Sequence, residues 1–325
     1  MKEIQVLEDV FISELHCIYL RDISAVVISD LHLGFEEEMN LHGLFLPKLQ
    51  RDHVENLIDR IIDRYSPETL FINGIEILKE STDGHQTHGG AALLIPYANR
   101  VRNAEYIWNG KEYNLPKNNG GHSIHGLTKE LLWSCESVSE SEVTFSLNLV
   151  HDGYPVPLHV VARYRIEEER LVVEFDVENL GSIPAPIVLG MHPYFKFDRY
   201  WKLKSDRTLL RLGYEDQYFP DGKVIPQYGS EISSRIQSSY DSCFLVGDHI
   251  SLETGNYNVL IQTHEMPYFV VYNGIYSEGI SVAVEPMSGA PDAFNNRIGL
   301  TSIYPGNRFE CSVSFIIKDN RMENS

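Results

Sequence analysis

Apolar residues in the first quarter of the chain follow a helical period. Leu46, Leu49, Val54, Leu57, Ile58, Ile61 and Ile62, mostly three or four apart, predict an amphipathic helix up to about Tyr65, with Pro67 helping to end it. The apolar run Ala25 to Ile28 before it predicts a strand, and TLFING (69–74) after it predicts another. Strand, helix and strand in succession predict a βαβ-like beginning. From Gly89 onward the pattern changes to short β-prone runs. EYIWNGKEYNL carries Asn109-Gly110 between two such runs, a strong hairpin signal. LHVVARYRIEEERLVVEFDVEN predicts two strands across a charged turn, and VTFSLNLV, YFVVYNG, ISVAVEP and FECSVSFII predict more. The reading is a mainly β protein, a large antiparallel sandwich with a small N-terminal α/β appendage. The boundary is placed between Gly74 and Ile75, giving segments 1–74 and 75–325.

Composition narrows the function. The chain has 325 residues, enough for one large or two smaller domains, and its 43% hydrophobic content is that of a globular protein. The 27 basic residues stand against 46 acidic ones, a net charge of −19 that argues against a nucleic-acid partner. No apolar run approaches the ~20 residues of a membrane-spanning helix. Cys17, Cys135, Cys243 and Cys311 are scattered, with no C-x-x-C pair and no secretory leader before them, so a cytoplasmic location is expected.

Two stretches carry candidate chemistry. In AVVISDLHLGF, Asp30 and His32 stand two apart at a strand end and could both reach one cation. This segment resembles the calcineurin-like metallophosphoesterases over about residues 1–74. The resemblance implies a bridging Asp after Gly74, where this chain has Ile75, and later His motifs that are missing. Two ligands fall short of a catalytic set, so a truncated remnant without phosphoesterase activity is expected.

In the β-rich part, His192 follows the apolar run Ile187 to Met191, and Glu285 ends another, with Pro286 expected to break that strand. A carboxylate after a buried-looking run is costly to place unless paired or functional. Either residue alone could be packed or solvent-facing; together they suggest acid–base work. The stretches LLIPYANRVRNAEYIWNGKEYNLPKNNGGHSIHGL, MHPYFKF, YDSCF and GISVAVEPMSGAPDAFNN resemble, in order, the aldose 1-epimerase (galactose mutarotase) family over about residues 75–318.

That resemblance implies a galactose mutarotase-like supersandwich and an enzyme that interconverts sugar anomers without cofactor or metal. It implies Glu285 as base and His192 as acid, with Asn99, Arg100, His125 and Asp241 binding the sugar. Tyr97, Trp108 and Tyr194 could stack on a pyranose. The alternatives are a hexose-6-phosphate 1-epimerase, for which Arg102, Lys117 and Lys129 lie near the motifs, or a catalytically impaired carbohydrate-binding protein. The family's earliest strands are missing before GGAALLIPYANR, which leaves one sheet edge in question. The expected partner is a small sugar; sequence leaves its identity and the oligomeric state open.

Overall fold

A computed structural model describes residues 3–7, 9–13, 15, 17–22, 24–29, 49–66, 69–73, 77–139, 141–167, 170–216, 218–226, 229–235 and 239–320. The chain divides into two compact units, Met1–Glu76 and Ile77–Ser325.

The first unit is a five-stranded sheet. Glu3–Leu7, Val10–Ser13, Cys17–Leu20 and Ala25–Ser29 run antiparallel in chain order, and Thr69–Asn73 lies parallel to Ala25–Ser29. A parallel neighbour requires a crossover, and the helix Leu49–Tyr65 lies within it. The βαβ-like beginning is therefore present, preceded by three strands that sequence did not indicate. They are only four or five residues long, too short for alternation to register. The helix brings Ile61, Leu57, Ile58 and Tyr65 to a small core of Leu15, Cys17, Val26 and Ile28. Its last turn is tied down at Glu3, whose Oε1 accepts from Arg64 Nε and Nη2 (2.9 and 2.6 Å) and from the Tyr65 hydroxyl (2.6 Å). Register pairs Ile12 with Ile18 on the opposite face, where they are 46% and 40% exposed. Asp30, His32, Gly74 and Ile75 lie outside the described residues.

In the second unit a nine-stranded and a seven-stranded antiparallel sheet form a sandwich. The nine-stranded sheet runs, in spatial order, Ser134–Val138, Glu142–Leu149, Leu158–Glu167, Arg170–Asn179, Arg308–Asp319, Tyr257–His264, His249–Thr254, Trp201–Lys204 and Glu231–Ser233. In Leu158–Glu167 burial alternates through Leu158, Val160, Ala162 and Tyr164, the period-two signature of one buried face. The seven-stranded sheet runs Pro220–Pro226, Leu210–Tyr214, Asp241–Leu245, Tyr268–Tyr272, Ser281–Met287, Gly190–Lys196 and Ala91–Leu94. Its strand Ser281–Met287 is buried at every position, as is Gly190–Lys196 up to its last residue. Buried strands of this kind are covered on both faces. Phe195 meets Phe315 of the other sheet, with ring centroids 5.9 Å apart. The mainly β architecture expected from sequence, with wide antiparallel sheets, is the fold observed.

Three local results refine the sequence reading. Asn109 and Gly110 both take positive φ (47° and 75°) between the paired strands Glu105–Trp108 and Lys111–Asn114, as a two-residue hairpin turn demands. Pro286 does not end its strand: pairing continues through Met287, with Pro286 opposite Phe269. Ahead of Ala91, residues 77–79 lie along the second half of the His192 strand: Lys79 N donates to Tyr194 O, and Lys196 N to Ile77 O. The side chain of Lys79 is buried, its Nζ donating to Glu80 O and His88 O and lying 3.1 Å from Glu278. No helix among the described residues is long and apolar enough to cross a membrane.

Candidate active site

Strand register assembles the site. Antiparallel pairing of Gly190 with Met287 and of Tyr194 with Ala283 puts His192 opposite Glu285. Glu285 pairs in turn with Val270, and Val270 with Cys243. Two residues along, the neighbouring row reads Tyr194, Ala283, Tyr272 and Asp241. Side chains alternate across a strand, so Phe195 points into the sandwich while His192 and Tyr194 share the other face. Three stretches far apart in sequence, MHPYF, VEP and YDSCF, thus bring chemistry to one patch of one sheet.

Asn99, Arg100 and His125 come from the segment that joins this patch from the loops. Arg100–Val101 pairs with Ser123–Ile124, and His125 N donates to Asn99 O (3.0 Å). Asn99 and His125 both hold positive φ, 56° and 63°. Such backbone is uncommon outside glycine, with Asn and His among the residues that tolerate it. Gly126 follows at φ 74°, where a Cβ would stand 2.3 Å from Ile95 O; glycine is required there for the turn to pass. The His125 ring stands edge-on to His192, centroids 4.9 Å apart, while Tyr194 stacks on His192 at 4.8 Å. Arg100 donates from Nε to Asn119 Oδ1 (3.2 Å), and its guanidinium lies 4.1 Å over the Tyr218 ring.

His192 Nε2 and Glu285 Oε1 are 3.3 Å apart, with both side chains almost fully buried. Burial pushes the Glu285 carboxyl well above its ordinary range; the nearby charge of Asp241 adds to this and Arg100 opposes it. Burial likewise pushes His192 down, helped by the charges of His88, Arg100 and Lys129. His125 is lowered by burial and then by His192, and Asp241 is raised by burial against the pull of Arg100. Burial therefore disfavours charge on both partners of the pair. The buried atoms His125 Nδ1, His192 Nδ1 and Glu285 Oε2 have no hydrogen-bond partner among the described residues. Leaving such groups unpaired costs about 1–3 kcal/mol each, which a polar ligand can recover.

Of the six residues singled out from sequence, the structure brings His192, Glu285 and His125 into direct proximity. Asn99 holds the turn of His125, and the charges of Arg100 and Asp241 both reach Glu285. Tyr97 and Trp108 make other contacts: Tyr97 is buried with its hydroxyl 2.6 Å from Ser123 Oγ, and Trp108 donates to Pro184 O (2.7 Å). His122 accepts from Asn103 N through Nδ1, a loop-holding role. Asn119 and Tyr218, which support Arg100, were not indicated by sequence. Asn119 stands in the quoted NNGGH stretch, whereas nothing local marks Tyr218. For metal, the donor atoms of His125, His192 and Glu285 lie within 4.8 Å of one another.

Comparison with known proteins bears on the family of the chain. The aldose 1-epimerase family model matches residues 70–315. The Escherichia coli K12 protein YihR is 28% identical over 232 residues, covering 66% of this chain and 74% of YihR. The galactose mutarotase of Sus scrofa is 27% identical over 187 residues, 53% of this chain and 52% of that protein. A galactose mutarotase-like protein from Lactobacillus casei shares the fold, with a TM-score of 0.66 at 18% identity over 75% of this chain and 90% of its own. With most of its length matched by that family model, the chain belongs to the aldose 1-epimerase family.

Proposed function

We propose that this chain interconverts the α and β anomers of a free hexose, with Glu285 and His192 as the acid–base pair. The observation that carries the reading is the buried 3.3 Å contact between them, formed by direct cross-strand neighbours. Glu285 takes the proton of the C1 hydroxyl while His192 gives one to the ring oxygen. The C1–ring-oxygen bond breaks, leaving an aldehyde at C1 and a hydroxyl at C5. Rotation about C1–C2 and closure on the other face reverse both transfers.

Electrostatics give the step a direction. The reactive form of the pair is carboxylate and imidazolium, which burial disfavours. Ring opening discharges both groups at once, returning a neutral carboxyl and a neutral imidazole. The charges are thus stabilised least in the form that must react. Arg100, held by Asn119 and Tyr218, offers planar donors to sugar oxygens and lowers the cost of the Glu285 carboxylate. His125, Asn99 and Asp241 complete the polar wall. A free hexose is favoured over a phosphorylated one, because of the three cations near the motifs Arg102 is engaged by Glu215 (2.9 Å) and Asp292 (3.6 Å), Lys117 by Glu105 (3.9 Å), and Lys129 gives its Nζ to Ile124 O (3.3 Å).

The test is NMR magnetisation transfer between the anomers of galactose and of glucose. Saturable acceleration that disappears in Glu285→Gln supports the reading. Sugar binding without acceleration would make the chain a carbohydrate-binding protein instead.

A further inference from the structure

The acid–base pair and its neighbour also satisfy a second chemistry. His125, His192 and Glu285 are two imidazoles and one carboxylate, all buried, with their donor atoms inside a 4.8 Å span. Three such protein ligands with a fourth position left open form a donor set typical of zinc. Two atoms bound to one tetrahedral cation, each at about 2.0–2.2 Å, stand roughly 3.3–3.6 Å apart. His192 Nε2 and Glu285 Oε1 already hold that separation at 3.3 Å. His192 and Glu285 are fixed by adjacent strands, and the wider 4.8 Å span to the third donor means that a bound cation would draw the His125 ring inward. Buried polar atoms on all three residues lack a partner among the described residues, so the cluster is not internally satisfied. Magnesium and calcium fit poorly, since they need near-complete oxygen coordination and this cluster is nitrogen-rich.

We infer that His125, His192 and Glu285 bind a zinc-type divalent cation in competition with the sugar, making such ions reversible inhibitors of the site. The competition rests on the function proposed above; the cation site itself does not. A bound ion would occupy the lone pairs with which Glu285 accepts and His192 exchanges a proton, so no anomer exchange proceeds while it is in place. The positive charge of Arg100, which reaches Glu285, opposes a second cation and favours an exchangeable ion over a permanent one.

The experiment uses the full chain with Asp30→Ala and His32→Ala, which removes the other Asp-His pair as a source of binding, after treatment with EDTA. Co²⁺ is the probe, because its visible absorption intensifies at low coordination number. One equivalent should give a saturable spectrum that galactose bleaches, that Zn²⁺ displaces, and that weakens at least tenfold in apparent affinity in Glu285→Gln or His125→Gln. Bleaching by sugar requires no substitution at the site, so it stands even if a variant fails to fold. In parallel, Zn²⁺ should raise the KM for anomer exchange at unchanged kcat, with EDTA restoring it. No saturable spectrum, or one that survives Glu285→Gln or ignores galactose, overturns the inference. Cation binding without any metal-free exchange would sink the proposed function alone. Exchange that Zn²⁺ leaves untouched would sink the cation site alone.

Discussion

The two units bury their apolar surface in different ways. Among the described residues, the first unit covers one sheet face with the helix Leu49–Tyr65, its core being Leu15, Cys17, Val26, Ile28 and Ile61. Ile12 and Ile18 on the other face stay substantially exposed. The second unit packs two wide sheets together, and the strand carrying Glu285 is buried along its whole length. A layer closed on both sides can bury a carboxylate and an imidazole and thereby shift their proton affinities. A layer closed on one side cannot exclude water to that degree. We propose that the chemistry belongs to the second unit alone and that the first opens independently and at lower free energy.

The sharpest way to break this contrast is at the pair itself. Glu285→Gln should lower the anomer exchange rate by roughly 10²–10⁴ while sugar affinity stays within a few-fold. His192→Asn should match it, and the double variant should be little worse, because the two act as a unit. Additive losses would mean separate roles.

Ile61→Ala carries the next largest effect, about 2–5 kcal/mol from a cavity in the smaller core. Hydrogen exchange should rise across the first unit's strands while the second unit and its anomer exchange stay unchanged. Parallel loss of protection in both would make the chain one cooperative domain. Limited proteolysis asks the same question without substitution. Cleavage should fall before Ile77, since Lys79 is buried and its backbone bonds to Tyr194, and the remaining fragment should keep its activity.

Lys79→Met tests that anchor. Its carbonyl acceptors and the partly exposed Glu278 would lose their partner, at a cost of about 1–3 kcal/mol seen as a lower melting temperature. Proteolysis should then reach residues 77–90. A wild-type melting curve would show the anchor to be dispensable.

The smallest effects sharpen the site. Tyr218→Ala removes the ring under Arg100, worth about 0.5–1 kcal/mol, and should raise KM two- to fivefold with kcat nearly constant. The working pair carries one proton between its members and loses rate on the acid side only by taking a second, so with His192 pushed down by burial the acid limb of kcat/KM should lie below 6.5, the ordinary histidine value. A fall centred at 6.5 would mean an imidazole open to water. Added Mn²⁺ should elicit no phosphodiesterase activity from the first unit, and hydrolysis abolished by Asp30→Ala would reverse that expectation.

Sequence alone determined the class of each element wherever a periodic pattern was long enough. The helix before Pro67, the Asn109-Gly110 hairpin and the long strands of the second unit follow from spacing and turn chemistry. The strands at 3–20 did not, because four or five residues carry too little periodicity. Nor did the continuation through Pro286, since a proline is tolerated where its neighbours supply the pairing. Sequence also marked His192 and Glu285 at the ends of apolar runs, the carboxylate as costly there, and the family resemblance supplied their suggested roles. It could not place them opposite each other, since 92 intervening positions say nothing about register. Pairing of Gly190 with Met287 decides that, and with it the mutual burial that shifts both groups. Tyr218 beneath Arg100 is likewise a product of tertiary structure. Local pattern fixes which face of a strand a side chain takes; only the assembled sheet fixes what that side chain meets.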